Sequence, residues 1–134
     1  MSGRLLGWMS LALAVAFGAG WLVGGSGRSA AEVSAGRAVE RAGFLEARTL
    51  VLEGRLSLVE SNFGDARAEF EAAGAVVETL QTRLRETGLA ERAGLLEVAL
   101  AYLREAASQA ASLDPEAGSA ADAALRTLET VGGA

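Results

Sequence analysis

Apolar residues are arranged along this chain in two different ways. Residues 5–27 form one uncharged run, LLGWMSLALAVAFGAGWLVGGSG, bounded by Arg4 and Arg28. Farther on, apolar positions recur at alternating steps of four and three, the period of one face of an α-helix. Ala38, Ala42, Leu45, Thr49, Leu52, Leu56 and Val59 make a first such row, with Thr49 its only polar member. Phe63, Ala66, Phe70, Ala73, Val77, Leu80 and Leu84 make a second, and Leu89, Ala93, Leu96, Leu100, Leu103, Ala107 and Ala110 a third. Each row reads as the packed face of a helix. Alanine, leucine, glutamate and arginine dominate this part of the chain, and all are strong helix formers.

Punctuation divides the helical part. Asp114 suits an N-cap and Pro115 the first turn of the helix that follows, where its missing N–H costs nothing. Gly88 suits a left-handed helix end, and Ser61 and Asn62 are ready caps. The pattern therefore predicts helices over 30–60, 62–86, 89–112 and 115–131, with short connections that make consecutive helices antiparallel neighbours. One alternative stays open at the first turn. Leu56, Phe63, Phe70 and Val77 are seven apart, so the heptad register crosses it without a phase jump, as in one long coiled coil. Asn62 and Gly64 argue for the turn, because together they cost a helix interior about 1–1.5 kcal/mol relative to alanine.

The uncharged run reads as a transmembrane signal anchor over 5–25. Twenty residues at about 1.5 Å rise span roughly 30 Å of hydrocarbon, and Trp8 and Trp21 lie near its ends, where aromatic rings favour the interface. A cleaved signal peptide is the rival, since Ser29-Ala30-Ala31 fits a small-residue cleavage site. The apolar run is longer than the ~7–15 residues usual there. The expected organisation is a short tail (1–4), the anchor (5–25), a linker (26–30), an all-α helical domain (31–131) and a tail (132–134). Ala12, Ala16, Gly20 and Gly24 fall four apart, a spacing of small residues that lets two membrane helices approach.

Charge sharpens the division. The chain holds 12 basic residues, all arginine, against 17 acidic ones, for a net charge of −5. Setting aside Arg4 and Arg28 leaves 10 arginines against 17 acids, or −7, for the residues that follow. That acidity argues against a nucleic-acid partner, which requires a basic surface. The positive-inside rule places the N-terminus in the cytoplasm and the helical domain outside it, in the periplasm if the cell is bacterial.

Chemistry is sparse. The chain has no cysteine and no histidine, which removes disulfides, zinc-finger spacing, Cys or His nucleophiles and Glu-xx-His di-iron ligation. Gly24-Gly25-Ser26-Gly27 lacks a lysine and follows an apolar run, not a strand, so it does not read as a phosphate loop. No catalytic, metal or cofactor site is expected. Beside the first row, Arg41, Arg48 and Arg55 form one stripe and Glu46, Glu53 and Glu60 another, each seven apart. Such stripes choose partner and register in a coiled coil; they also occur on solvated faces, where ion pairs are worth tenths of a kcal/mol.

Around the first turn, Gly54, Phe63, Ala66, Phe70 and Ala73 resemble the small residue of helix A and the aromatic and alanine positions of helix B in a tetratricopeptide repeat. Ala110-Ala111-Ser112-Leu113-Asp114-Pro115 is similar to the end of such a repeat. Glu53 and Ser57 stand where the family prefers leucine and an aromatic, and no second copy appears at its 34-residue period. The resemblance implies helical hairpins and protein binding on a concave face; a plain core seam explains the same residues. The expected function is a non-enzymatic, membrane-anchored scaffold or adaptor that binds other proteins at the cell envelope. The alternatives are a structural coiled coil or bundle whose partner is itself, and a secreted helical protein.

Overall fold

The computed structural model describes the backbone of residues 2–133 and the side chains of residues 30–133. Four helices account for most of it: α1 (Ser2–Val59), α2 (Phe63–Glu86), α3 (Ala90–Ala111) and α4 (Ala117–Gly132). No strand is present among the described residues. The chain divides into two units, Met1–Ala38 and Val39–Ala134. In the first, the backbone is helical through 26–30, the stretch expected to be a linker. The expected span at 5–25, with Ala12, Ala16, Gly20 and Gly24, lies outside the residues whose side chains are described. Among the described residues no helix is long and apolar enough to cross a membrane.

The second unit is an antiparallel four-helix arrangement, and its register can be read from pairs of residues. Along α1 and α2, Gly43 faces Leu80, Gly54 faces Phe70, and Ser57 donates its hydroxyl to Glu69 at 2.8 Å. Along α1 and α4, Phe44 faces Gly132, Arg48 pairs with Glu129, Arg55 pairs with Asp122, and Leu58 approaches Gly118. Positions rise in one helix as they fall in the other. Arg85–Glu97 and Glu78–Arg104 pairs join α2 to α3 in the same sense, and Arg92 donates to the Val131 carbonyl of α4. Because α1 meets α4 along their length, the four helices close into a bundle.

The core is built largely from small residues. Ala47, Ala66, Ala73, Ala93, Ala99, Ala106, Ala121 and Ala124 are fully buried, which brings backbones close. The volume that remains is filled by Phe70, Leu84, Leu96, Leu103 and Leu128. The second row expected from sequence is buried from Ala66 to Leu84, with Phe63 half-buried, and the third is buried from Ala93 to Ala110, with Leu89 exposed.

The first row is a correction. Leu45, Leu52, Leu56 and Val59 are 60%, 48%, 58% and 82% exposed, and Ala38, Ala42 and Thr49 are exposed with them. The face of α1 that packs into the bundle is the opposite one: Gly43, Phe44, Ala47, Val51, Gly54 and Ser57. The physical reason is proximity. Glycine, alanine and serine contribute little to a hydrophobic periodicity, yet they let α2 and α4 approach the α1 backbone more closely than a leucine row would permit.

All three turns end their helix in the same way. Asn62 N–H bonds to the Ser57 carbonyl and Ser61 N–H to that of Leu58; Leu89 and Gly88 repeat the pair on Leu84 and Arg85; Asp114 and Leu113 repeat it on Gln109 and Ala110. This is the Schellman geometry, which needs one left-handed residue. Gly88 supplies it without strain at φ 80°, whereas Ser61 (φ 61°) and Leu113 (φ 56°) carry a Cβ there. Left-handed backbone costs such residues about 1 kcal/mol or more. Ser61→Gly and Leu113→Gly are each expected to stabilise the bundle by about 0.5–1 kcal/mol, read as a higher denaturation midpoint at unchanged slope. At the last turn α4 begins two residues later than its sequence predicts. Asp114 accepts from the Glu116 N–H at 2.9 Å, and tight three-residue bonds from Ala117 to Asp114 and Gly118 to Pro115 lead into the helix.

Candidate functional site

The outward face of α1 is where the residues singled out in the sequence converge. Ala42, Leu45, Thr49, Leu52, Leu56 and Val59 form its centre line. On one side stand Arg41, Arg48 and Arg55, and on the other Glu46, Glu53 and Glu60. A helix with apolar rows on two opposite sides is normally covered on both. Here the bundle covers one, and a contiguous apolar row bordered by charge is the usual form of a protein-interaction surface.

The two charged stripes differ in their surroundings. Arg48 Nη2 lies 2.9 Å from Glu129 Oε1, and Arg55 Nε 2.9 Å from Asp122 Oδ1, so the arginine stripe leans towards α4. Asp122 and Glu129, seven apart on α4, match Arg55 and Arg48, seven apart on α1, in antiparallel order. These acidic partners were not anticipated from sequence, although their spacing carried the signal. Among the described residues, Arg41, Glu46, Glu53 and Glu60 form no ion pair. The exposed Arg48 and Arg55 pairs contribute no more than about 1 kcal/mol each. They hold two guanidinium groups at the border of the apolar row, and Arg55, which approaches Asp122 through Nε, makes no hydrogen bond through its terminal nitrogens among the described residues.

The residues of the tetratricopeptide resemblance lie elsewhere, on the inner side of α1 and α2. Gly54, Ala66, Phe70 and Ala73 are buried together, and Phe63 is half-buried at the turn. A Cβ built on Gly54 would lie 2.5 Å from Phe70 Cε1, so the glycine and the aromatic form one packed contact.

Other features of the bundle offer less chemistry. A shallow cleft of about 280 Å³ between α3 and α4 is lined by Leu95, Tyr102, Arg126, Thr127 and Val131 among others. Arg92 bridges three helices: it pairs with Glu40 at 2.8 Å, donates to the Val131 carbonyl at 2.9 Å, and lies 5.9 Å over the Phe44 ring. That arrangement ties the interior of α1 to the first turn of α3 and the last turn of α4. Among the described residues no three acidic, histidine or cysteine side chains converge as metal ligands would.

The chain matches no protein-family model, no curated protein and no solved structure.

Proposed function

We propose that this protein is a non-enzymatic, membrane-anchored scaffold that works at the cell envelope by docking another helix on the outward face of α1. The observation that carries this is the leucine row opposite the face that α1 packs into the bundle. Burying Leu45, Leu52, Leu56 and Val59 against a partner gains hydrophobic free energy that the isolated bundle leaves unused. The peptide-binding concave face implied by the tetratricopeptide resemblance needs α1 and α4 apart, and their pairing along four positions directs the proposal to the outer face instead. The anchor rests on the uncharged run at 5–27, and the extracytoplasmic placement of the acidic domain on the charges around that run.

Two measurements test the proposal. Alkaline extraction of membranes should leave the chain in the pellet, and protease added to intact spheroplasts should digest the helical domain; release by alkali or full protection would overturn the anchor or its orientation. For the docking face, Leu45→Glu/Leu52→Glu in the full chain should change unfolding stability by under about 1 kcal/mol, because both side chains are exposed. The same variant should lose whatever protein co-purifies with the wild type from detergent-solubilised membranes. Retention of every partner would exclude the outward face of α1 as the docking site.

A further inference from the structure

The charge pattern identifies what covers this face. In heptad positions, Leu45, Leu52 and Val59 occupy d, and Ala42, Thr49 and Leu56 occupy a. The arginines at 41, 48 and 55 then all fall at g, and the glutamates at 46, 53 and 60 all fall at e. When two helices pair in parallel and in register, each g residue faces the e residue five positions farther along its partner. Those pairs are Arg41 with Glu46, Arg48 with Glu53, and Arg55 with Glu60, each repeated across the two-fold axis. Every contact is between opposite charges. In an antiparallel pair g faces g and e faces e, which sets arginine against arginine and glutamate against glutamate. The face is therefore complementary to itself in one orientation only.

We infer that the partner is a second copy of this chain, and that the outward faces of two α1 helices form a parallel, in-register, two-stranded coiled coil over residues 42–59. This rests on the scaffold reading above and names its partner.

The seam chemistry agrees. Leucine at d, with β-branched Thr49 at a central a position, suits two strands, and a polar a residue penalises shifted registers. The glutamates are exposed and form no ion pair among the described residues, so they are available to a second chain, and Arg55 can give its terminal nitrogens to a partner while Nε stays beside Asp122. The seam is about 26 Å long, and its alanines bury little area, so the association is weak between free molecules. A membrane span in each copy would confine both to one surface, point both α1 helices the same way and raise their effective concentration.

The natural absence of cysteine makes the test direct, because the introduced residue is the only thiol in each chain and a disulfide-linked product of twice the chain mass must join two copies at that position. Leu45→Cys and Val59→Cys, made separately in the full chain and oxidised in native membranes, are each expected to give disulfide-linked dimers, since like residues face each other at both ends of a parallel seam. Adding Glu46→Arg/Glu53→Arg/Glu60→Arg, which touches no ion pair among the described residues, should lower both yields by about tenfold or more while the melting curve is preserved. That loss separates pairing through α1 from pairing through the span. An antiparallel dimer would link only when the two cysteine chains are mixed, and this outcome overturns the inference. A photo-reactive residue at 52 supplies the last distinction. A foreign adduct without a self-adduct refutes the dimer but leaves the scaffold reading intact, and no adduct at all refutes both.

Discussion

Replacing Phe70 by alanine is expected to destabilise the bundle by about 3–5 kcal/mol. Phe70 is fully buried in the α1–α2 contact, where its ring lies against the bare backbone of Gly54. Its truncation removes the transfer free energy of the ring and leaves a cavity. The size of the second effect depends on whether neighbours can collapse into the space, and here the buried residues one turn to either side on the same face of α2 are Ala66 and Ala73, with no side-chain length to give. Out of a typical total stability of ~5–15 kcal/mol, such a loss is at least about a fifth. Denaturant unfolding of the full chain in detergent micelles, followed by the helical circular dichroism signal, measures it. A loss below about 1 kcal/mol, with a partner no longer bound, would instead make Phe70 part of a binding groove.

Enlarging Gly54 acts on the same contact from the other side. Glycine in a helix interior is normally worth replacing, since alanine gains up to about 1 kcal/mol there. At Gly54 a Cβ would stand 2.5, 2.8 and 2.9 Å from three atoms of the Phe70 ring. The ring is rigid and enclosed, so relief requires α1 and α2 to separate. Gly54→Val is therefore expected to cost about 2–3 kcal/mol through overpacking. Gly94, with open space around its Cα, is the control: Gly94→Ala should stabilise by about 0.5–1 kcal/mol. Gly43 makes an intermediate case, because the atom nearest its Cβ is the end of the flexible Leu80 side chain. If Gly54→Val and Gly94→Ala shift the unfolding midpoint alike, close approach at Gly54 is not what holds α1 to α2.

The helices and their turns were legible because local signals are strong. Asn62 at the start of α2 and Gly88 at the end of its helix carry backbone preferences that no tertiary contact has to supply. The rows from Ala66 to Leu84 and from Ala93 to Ala110 were also legible as core, since α2 and α3 have one dominant apolar face each. The α1 row was misassigned for a definite reason. Periodicity weights residues by hydrophobicity, so Leu45, Leu52 and Leu56 outscore Gly43, Ala47, Gly54 and Ser57. Packing selects for fit as well, and the smaller residues admit neighbouring helices. The charged stripes were recognised, but the ties of Arg48 and Arg55 to α4 depend on contacts 81 and 67 residues away along the chain.

What the sequence determined by itself was helix, turn and charge pattern, because these depend on propensity, capping and spacing within a few residues. It also determined the self-complementary order of arginine and glutamate on α1, which is a property of the heptad alone. Only the tertiary structure decided which side of α1 faces inward. Local hydrophobicity favours the leucine face of α1, and the choice against it is made by α2 and α4, which pack where glycine and alanine let them approach and leave the leucines outside.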